Sequence, residues 1–526
     1  MRRRAWLGAA ASLALAGCTR GREPAVAVRW VGASHERGHR LRDGVAAIDA
    51  RDATPRQAGV LVIGAGIAGL AAARALARRG IDDVHLLDLE DAPGGNSRGH
   101  AIGAQACPLG AHYLPVPGPH AIEVTEWLHE IGLLRHELGR TVPDERHLCH
   151  SPQERLFIDG AWHDGLLPPA EPGSATMQQY QRFETALEQV QREVAFALPT
   201  HRAAWTPAHQ QLDATTFAAW LDRQGLHDPR LRWYLDYACR DDYGAGLDTV
   251  SAWAGLHYFA SRHGFHAPGN EGGERDAVFT WPEGNAWLVA RLAAPFVQGR
   301  AHTARTVQRV EVQREGVEVV CIDERAQRPE RWQARAVVLA VPLAVAARIV
   351  QPLPPALAAI APLQRHAPWL VANLALDAML LDRASGAPPS WDNVRFGAPS
   401  LGYVDAQHQS LNPSPGATVL SAYWALPVAE RASLLEPDAA QAWSRRVIDD
   451  LAAMHPDLPH KVRQVDLMRH GHAMSIPVPG LRSHAALPAL AALRGPLAFA
   501  HADLSGYSVF EEAFAHGTRA GATLAV

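Results

Sequence analysis

Lysine is almost absent from this chain of 526 residues, and clusters of basic charge are absent beyond its start. Lys461 is the only lysine, so any mechanism that needs a lysine has a single candidate. No basic run occurs after the first four residues, and the formal net charge is −4. Because nucleic-acid binding depends on clustered basic charge, this composition gives no indication of a nucleic-acid partner.

Cysteine and metal-ligand patterns are also sparse. Four of the five cysteines are far apart and show no C-x-x-C spacing: Cys107, Cys149, Cys239 and Cys321. One disulfide could form in an oxidising compartment, but the sequence does not select a pair. His470 and His472 would share one face of a strand, and His147, Cys149 and His150 are clustered. Neither group supplies a full set of three or four ligands, so we expect no metal site.

The first 18 residues, MRRRAWLGAAASLALAGC, predict an export signal. A basic start precedes an apolar stretch that is shorter than the about 20 residues of a membrane span, and small residues follow it. Residues 3–7 (RRAWL) resemble a twin-arginine export motif, and residues 15–18 (LAGC) resemble a bacterial lipobox. We therefore expect removal of residues 1–17 and acylation of Cys18, which would anchor the protein at the periplasmic face of a bacterial membrane.

Residues 60–80, VLVIGAGIAGLAAARALARRG, combine a strand, a glycine-rich turn and a helix. VLVI (60–63) is rich in β-branched residues, which is typical of a strand buried on both faces. The turn has the G-x-G-x-x-G spacing, and an alanine- and leucine-rich helix follows to about Arg79, where Gly80 is placed to end it. A second strand over 84–87 leads into Asp88. This order predicts the nucleotide-binding start of a Rossmann-like domain.

Each part of this pattern has a physical role in holding a dinucleotide. The first glycine permits the tight turn, the second lets a pyrophosphate approach the backbone, and the third lets helix and strand pack closely. The start of the helix offers N–H groups and a positive dipole end to the phosphates, and the carboxylate can accept hydrogen bonds from a ribose. The predicted cradle consists of Gly64, Ala65, Gly66, Ala68, Gly69 and Asp88.

The next residues, 92–99 (APGGNSRG), resemble the flavin-containing amine oxidase superfamily, which includes monoamine and polyamine oxidases. In that superfamily the ribose-binding acid is followed six residues later by a glycine pair and usually an arginine at the flavin phosphates. Gly94 and Gly95 match this spacing from Asp88, whereas Asn96 stands where the arginine is expected and Arg98 lies two residues further on. The resemblance implies FAD, with Gly95, Asn96 and Arg98 beside its phosphates.

Three further segments carry the same resemblance. Residues 108–113 (PLGAHY) resemble the segment that passes near the flavin ring, with proline replacing a common aspartate. Residues 306–342 resemble the middle flavin-binding piece, which begins with a β-hairpin, and residues 497–517 resemble the C-terminal strand, flavin-contacting loop and closing helix. The resemblance implies that Gly110 and Ala111 contact the flavin, that Val307 meets the adenine through its backbone, and that Asp503 contacts the ribityl chain.

The expected fold class is α/β: a discontinuous Rossmann-like FAD-binding domain with an inserted α+β substrate domain. The first inserted piece has mainly helical periodicity, and the second mixes strands with helices. Residues 18–57 are arginine-rich and poorly periodic, which we interpret as an anchor spacer and a lead-in to the first strand. The predicted pieces are 58–115, 276–345 and 491–526 for the FAD-binding domain, and 116–275 and 346–490 for the substrate domain.

The resemblance also implies catalytic positions, with clear departures from the family. Tyr507 matches a tyrosine that forms one wall of the aromatic cage in monoamine oxidases, or it simply packs beneath the flavin helix. His112, in the segment near the flavin ring, is the second catalytic candidate. The segment aligned with the partner aromatic, residues 469–477, has no tyrosine or cysteine, so FAD should be noncovalent. The family lysine that holds a water near flavin N5 is missing, and Lys461, in a proline-flanked turn, is a poor substitute.

Two more stretches could contribute to a substrate site. Asp241 and Asp242 follow a predicted helix and could hold a cationic amine, although such a pair is also typical of a solvated helix end. Residues 279–285 (FTWPEGN) precede a helix and could line the cavity or cap the helix.

We therefore expect an FAD-dependent oxidoreductase that transfers a hydride from an amine or polyamine to flavin N5, with an electron acceptor that the sequence does not identify. One alternative is a desaturase or dehydrogenase of an apolar substrate, which predicts a wide apolar tunnel without carboxylates at the flavin face. Another is a non-catalytic exported flavin-binding lipoprotein, which predicts a flavin sealed off from any cavity.

Overall fold

The computed structural model describes residues 26–43, 53–268, 277–410 and 416–526, so the predicted export signal and Cys18 lie outside the described residues. Two eight-stranded sheets organise this part of the chain, and three two-stranded pairs accompany them. Within the described residues, no helix is both long enough and apolar enough to cross a bilayer.

The strands, numbered in chain order within the described residues, are short apart from seven of eight or more residues, which build the centres of the two sheets. They are β1 (Ala27–Trp30), β2 (Thr54–Ile63), β3 (Val84–Leu87), β4 (Gly99–Ile102), β5 (Gln105–Pro108), β6 (Tyr113–Pro115), β7 (Leu134–Glu137), β8 (Arg140–Pro143), β9 (Glu154–Ile158), β10 (Ala161–Asp164), β11 (Val278–Thr280), β12 (Ala301–His302), β13 (Arg305–Gln313), β14 (Gly316–Asp323), β15 (Arg328–Leu339), β16 (Val350–Gln351), β17 (His366–Leu376), β18 (Asp392–Arg395), β19 (Tyr403–Asp405), β20 (Thr418–Ala425), β21 (Val462–Ser475) and β22 (Leu497–Phe499).

The α-helices are numbered in the same way. They are α1 (His35–Arg42), α2 (Ile67–Arg78), α3 (Ile122–Glu130), α4 (Ala175–Glu193), α5 (Pro207–Asp213), α6 (Phe217–Arg223), α7 (Pro229–Tyr243), α8 (Ala252–Tyr258), α9 (Ala286–Ala293), α10 (Leu343–Ile349), α11 (Pro355–Ile360), α12 (Ala439–Ala452), α13 (Leu458–Lys461), α14 (Ala486–Ala491) and α15 (Phe510–Thr523).

The first sheet assembles strands from distant parts of the sequence. Its order is β12-β3-β2-β15-β14-β13-β16, and β22 pairs with the end of β15. The strands β3, β2, β15 and β22 run parallel, whereas β13, β14 and β15 form an antiparallel meander. Val60, Leu61 and Val62 of β2 have no exposed surface, as the β-branched sequence predicts. This arrangement confirms the α/β fold class, with a Rossmann-like core built from separate segments.

The last helix closes this sheet by packing directly on the first nucleotide-binding helix. A Cβ atom at Gly517 of α15 would overlap the carbonyl oxygen of Ala68, and one at Gly521 would overlap that of Ala72. Both glycines therefore let the two helix backbones come into contact. The C-terminal helix is thereby fixed against α2.

The second sheet has the order β1-β21-β17-β20-β19-β18-β9-β10. Helices from the first inserted piece share one hydrophobic core with it, in which Phe183 of α4, Leu231 of α7 and Trp253 of α8 pack with Val371 of β17 and Tyr423 of β20. The piece 116–275 is mainly helical, as its periodicity predicts, but it also contributes β9 and the edge strand β10.

The described part of residues 18–57, which we interpret as an anchor spacer and a lead-in, contains two regular elements. Residues 27–30 form the edge strand β1, and residues 35–42 form the helix α1. Little in the local sequence indicates these elements, because α1 carries one large apolar residue, Leu41, and β1 is only four residues long, with Val28 and Trp30 packed against the core of the second sheet. The strand is stabilised by pairing with β21, and Arg29 forms an ion pair of 2.8 Å with the buried Asp466.

The rare residues have ordinary structural roles. Within the described residues, all four cysteines are free thiols. Lys461 donates to the carboxylate of Asp457 at 2.7 Å and to the carbonyl oxygen of Met379.

Candidate active site

One continuous cavity lies between the two sheets and extends from the glycine-rich turn to the end of α7. It holds about 1980 Å³ of empty space, open solvent included. Its lining combines the predicted flavin-binding residues with side chains of the inserted pieces, among them Gly64, Gly66, Ala68, Asp88, Gly95, Asn96, Gly110, Ala111, His112, Val307, Asp241, Asp242, Arg262, Trp369, Tyr423 and His470.

The three glycines of the turn have three different physical roles. Gly64 has a φ of +94°, and a Cβ there would lie 2.5 Å from the carbonyl oxygen of Ala340. A Cβ at Gly69 would overlap the carbonyl oxygen of Gly64, so this glycine lets α2 pack against β2. Gly66 differs, because the nearest atom to its Cβ position is the Cα of Gly95 at 3.8 Å. The free space at Gly66 belongs to the cavity, as the approach of a pyrophosphate requires.

Gly66 is also the N-cap residue of α2, and no side chain caps this helix. The N–H groups of the first turn are therefore available to an anion, and the dipole of the twelve-residue helix favours one. Ala65 lies behind the turn and is not part of the lining; its N–H donates to Oδ2 of Asp88 at 2.6 Å.

Asp88 is held by the backbone at the cavity surface. Its Oδ1 accepts a hydrogen bond from the N–H of Glu90 at 2.8 Å, in addition to the bond from Ala65. Burial raises the pKa of this carboxyl, and the two N–H donors and the nearby Arg98 oppose the rise. A fixed carboxylate with lone pairs toward the cavity suits the hydroxyl groups of a ribose.

The structure distinguishes between the two candidates for the phosphate side. Asn96 lines the cavity, and its amide donates to the carbonyl oxygen of Ala473 at 2.5 Å. Arg98 is outside the lining: its Nε donates to the carbonyl oxygen of Gly95 at 3.2 Å, and its Nη1 lies 3.6 Å from Glu90. Of the two, only Asn96 is in a position to touch a bound phosphate.

Three further residues for which the resemblance implies cofactor contacts also line the cavity. Gly110 and Ala111 line the cavity, and the N–H of Ala111 donates to the carbonyl oxygen of Asn96 at 2.8 Å. Val307 of β13 lines the same cavity together with Arg305. One end of the cavity combines an uncapped helix, a glycine with free space around it and a fixed carboxylate. These features and the long cavity beyond them fit a flavin dinucleotide.

Asp503 does not reach the cavity surface, although it was predicted to contact the ribityl chain. Its side chain is fully buried, Oδ2 accepts from the N–H of Leu343 at 2.9 Å, and Oδ1 lies 3.0 Å from Nε2 of His366. The neighbouring residues Ala502 and His501 line the cavity instead. One feature of the sequence argued against the ribityl contact of Asp503. In the family, the acidic residue comes sooner after the strand that corresponds to β22.

Tyr507 is also outside the lining. It is 1% exposed, and its hydroxyl donates to Oε1 of Glu512 at 3.0 Å. Its ring packs against Tyr243, Trp253 and His257. Of the two roles considered for Tyr507, this position corresponds to packing behind the cavity.

Other aromatic rings form the cavity wall near residues 108–113, the segment that is expected to pass near the flavin ring. The ring of His112 stacks on Tyr423 with centroids 4.4 Å apart, and the hydroxyl of Tyr423 donates to the carbonyl oxygen of Gly110 at 3.1 Å. Burial lowers the pKa of His112 to about 3, so its imidazole is neutral at physiological pH. Tyr113 and Trp369 complete this wall.

The segment 469–477 lines the cavity through histidines rather than through a tyrosine. His470 donates from Nε2 to the carbonyl oxygen of Leu109 at 2.8 Å, and His472 faces the cavity from the same strand. Burial lowers the pKa of both to about 4. In the described part of the chain no cysteine lines the cavity, and no group of three potential ligands is arranged for a metal ion.

Asp241 and Asp242 reach the far end of the cavity instead of a solvated surface. They precede the end of α7, which Gly244 terminates with a φ of +69°. Asp242 accepts a hydrogen bond from Nη1 of Arg262 at 2.8 Å. Within the described ranges, no group donates a hydrogen bond to the side chain of Asp241. Burial, followed by the charge of Asp242, raises the pKa of Asp241 to about 7.

In the stretch 279–285, Phe279 and Trp281 are buried in the core, and Asn285 lines the cavity. Asn285 precedes α9 at its N-cap position, but its side chain makes no capping hydrogen bond. The side-chain amide of Asn285 donates to the carbonyl oxygen of Tyr113 at 2.9 Å.

Sequence reasoning missed Arg262, Trp369 and Tyr423. Arg262 lies in a short π-helical turn after α8, a feature without a sequence signature. The two aromatic residues lie in strands β17 and β20, where a buried aromatic is indistinguishable from an ordinary core residue.

Comparison with known proteins identifies the class of this site. The family model described as flavin-containing amine oxidoreductase matches residues 67–525. The chain therefore belongs to the flavin-containing amine oxidoreductase family, and it is an FAD-dependent oxidoreductase of the amine oxidase type. No curated protein matches the sequence.

Solved structures share the fold. A wild-type putrescine oxidase with bound putrescine is 18% identical, with a TM-score of 0.66, 89% of this chain covered and 99% of that one. Cyclohexylamine oxidase from Brevibacterium oxydans IH-35A is 19% identical, with a TM-score of 0.63 and coverages of 88% and 98%. A fatty acid isomerase from P. acnes is 15% identical, with a TM-score of 0.59 and coverages of 88% and 97%.

Proposed function

We propose that the protein oxidises a primary amine or polyamine whose ammonium group binds at Asp241. The observation that carries this proposal is a carboxylate at the cavity wall without an internal hydrogen-bond donor in the described chain. Asp241 is only partly exposed, and a carboxylate removed from water in this way is costly unless a cation or donors compensate it. A cationic substrate would supply that compensation.

The charges around this end of the cavity favour a cation over an anion. Arg262 is already hydrogen-bonded to Asp242, and the negative charge of Asp242 raises the pKa of Asp241 further. Glu511, at the start of α15, adds a second carboxyl near Arg262. An anionic group would meet these carboxylates, whereas an ammonium group would be attracted to them.

Bound FAD supplies the redox chemistry, because N5 of its ring accepts a hydride equivalent. The protein's own residues must bind the substrate, exclude water and take one proton. The wall of Trp369, Tyr423 and His112 excludes water and adds no positive charge, since the imidazole is neutral. An ammonium group must lose a proton before its carbon can release a hydride. Asp241, with a pKa of about 7, is the cavity-lining group suited to accept that proton near neutral pH.

Two observations favour this function over the alternatives. A desaturase of an apolar substrate predicts no carboxylates on the substrate side, yet Asp241 and Asp242 line it. A sealed, non-catalytic flavin predicts a cavity that ends at the flavin, yet one cavity connects the glycine-rich turn with the end of α7.

The test is the visible absorbance spectrum of the purified holoprotein under anaerobic conditions, before and after addition of a mixed pool of primary amines and polyamines. We expect the flavin band to bleach. A band that persists with every amine, and bleaches with a long-chain apolar substrate instead, would overturn the proposal.

We further propose that the protein is exported and held at a membrane by acylated Cys18, a position that lies outside the described residues. The support is the order of basic start, apolar stretch and LAGC in residues 1–18. Labelled palmitate should be incorporated by the wild-type chain and not by a Cys18→Ser variant. Equal incorporation in both would refute the assignment.

A further inference from the structure

The N-terminal segment, residues 26–43, lies outside the part that matches the family and is attached first to the edge of the second sheet. Its strand β1 pairs in parallel with β21. Arg29 donates two hydrogen bonds of 2.8 Å to the fully buried carboxylate of Asp466, and the guanidinium of Arg469 lies 4.6 Å from the ring of Trp30. Backbone and side chains together fix this half of the segment.

The other half crosses to the loop that follows the ribose-binding carboxylate. The N–H of Ser34 donates to Oε2 of Glu90 at 3.0 Å. Arg37 donates from Nη1 to the carbonyl oxygen of Leu89 at 2.9 Å and from Nη2 to Asp91 at 3.1 Å. Because Leu89 and Glu90 both line the cavity, the segment touches the wall of the dinucleotide end from outside.

The helix α1 also completes that wall from within. Leu41 lines the cavity and packs against the apolar cluster that contains Val307. The neighbouring Arg40 forms an ion pair with Glu324, whose Oε1 accepts from the hydroxyl of Thr306 at 2.6 Å. The helix is thereby tied to β13 and β14 at the predicted adenine position.

We propose that the N-terminal segment is part of the FAD-binding site and retains the adenosine end of the cofactor. It bridges the second sheet and the dinucleotide loop, so that the cofactor would leave only when these contacts break. Leu41 supplies apolar contact surface, and Arg37 and Ser34 hold the loop 89–91 in place behind the ribose-binding carboxylate.

The test compares FAD release from the full-length holoprotein and from its Arg37→Ala and Leu41→Ala variants, followed by the fluorescence of the free flavin. We expect each variant to release FAD faster by about tenfold, the effect of losing one or two hydrogen bonds or a buried side-chain contact. Arg42→Ala is the matched control, because the Arg42 side chain is half exposed and pairs with the adjacent Asp43. Its release rate should equal that of the wild type.

The unfolding midpoint of each apoprotein separates a binding role from a structural one. Faster release with an unchanged apoprotein midpoint supports the proposal. Release of FAD at the wild-type rate overturns the proposal. An apoprotein unfolding midpoint that falls together with FAD retention also overturns it, because the substitution then weakens the fold rather than the binding site. If Leu41→Ala does not fold, Arg37→Gln decides by the same two measurements. No amine enters this experiment, so its outcome is independent of the proposed substrate.

Discussion

The two ends of the cavity present helix termini of opposite polarity. At the dinucleotide end, α2 begins at the cavity and carries no side-chain cap. At the other end, α7 terminates, and its last turn carries Asp241 and Asp242. A helix N-terminus favours an anion and a helix C-terminus favours a cation. The same cavity is thus suited to phosphates at one end and to an ammonium group at the other.

The means of recognition differ as well. The dinucleotide end relies mainly on backbone groups and on the absence of side chains, together with the carboxylate of Asp88, which two N–H donors hold. The α7 end uses carboxylates whose charge depends on their neighbours and on pH. Perturbing one end should therefore leave the other intact, and the predictions below separate the two.

Gly66→Val should have the largest effect, because it breaks the dinucleotide end alone. Gly66 has an ordinary φ of −72°, and the space around its Cβ position is cavity rather than protein. The variant should fold, yet lose FAD affinity by about 100-fold or more, since the side chain occupies the place of the phosphates. The measurement is the ratio of flavin to protein after gel filtration.

Gly69→Val is the informative counterpart of that variant. Its side chain would collide with the Gly64 carbonyl, so the fold itself should be destabilised. If Gly66→Val were to retain FAD at the wild-type ratio, the assignment of the phosphate site would be wrong.

Asp241→Asn should break the α7 end alone. The amide keeps the shape of the side chain but removes its negative charge, and we expect kcat/KM for the preferred amine to fall by about 100-fold, the loss of a charge-assisted contact in a buried site. The flavin content should not change. Asp248→Asn is the matched control, because Asp248 is exposed and outside the cavity. Equal activity of both variants would refute the role of Asp241.

The pH dependence of amine oxidation should follow the same carboxylate. The pKa of Asp241 is raised to about 7, so the group is anionic above that pH and neutral below it. Because binding and proton acceptance both need the carboxylate, kcat/KM should fall about tenfold per pH unit below pH 7. The histidines His112, His470 and His472, with pKa values of about 3 or 4, stay neutral from about pH 5 to 8 and do not add to this limb.

Steady-state rates measured from about pH 5 to 8 should show this decrease in kcat/KM at acidic pH, the acidic limb, in the wild type and not in Asp241→Asn. The flavin-to-protein ratio, measured over the same range, separates loss of the cofactor from titration of Asp241. A limb that persists in the variant would assign the titration to another group.

The predictability of the two ends follows from how far apart their residues are in sequence. The glycine-rich turn, Asp88 and the helix behind them lie within about 30 residues, and their pattern is a known consequence of phosphate binding. Trp369 and Tyr423 reach the cavity only through the pairing of β17 with β20, which no local pattern shows. Asp503 is nearly as local as the turn, but its side chain bonds to Leu343 and His366 away from the cavity, whereas the neighbouring Ala502 lines it. The segment 26–43 gave no signal, because its strand and helix depend on partners more than 50 residues away.

Tyr507→Phe should have the smallest effect and should define where the cavity wall ends. The hydroxyl donates to the fully buried Glu512, whose Oε1 also accepts from the N–H of Thr200 at 2.6 Å. Because that acceptor keeps a donor, the free energy of unfolding should fall by only about 1 kcal/mol. The rate of flavin reduction by amine should stay within about twofold of the wild type, since the hydroxyl points away from the substrate. Chemical denaturation measures the stability, and stopped-flow absorbance measures the rate of flavin reduction. Slow reduction with unchanged stability would show that Tyr507 belongs to the substrate wall of the cavity rather than to the packing behind it.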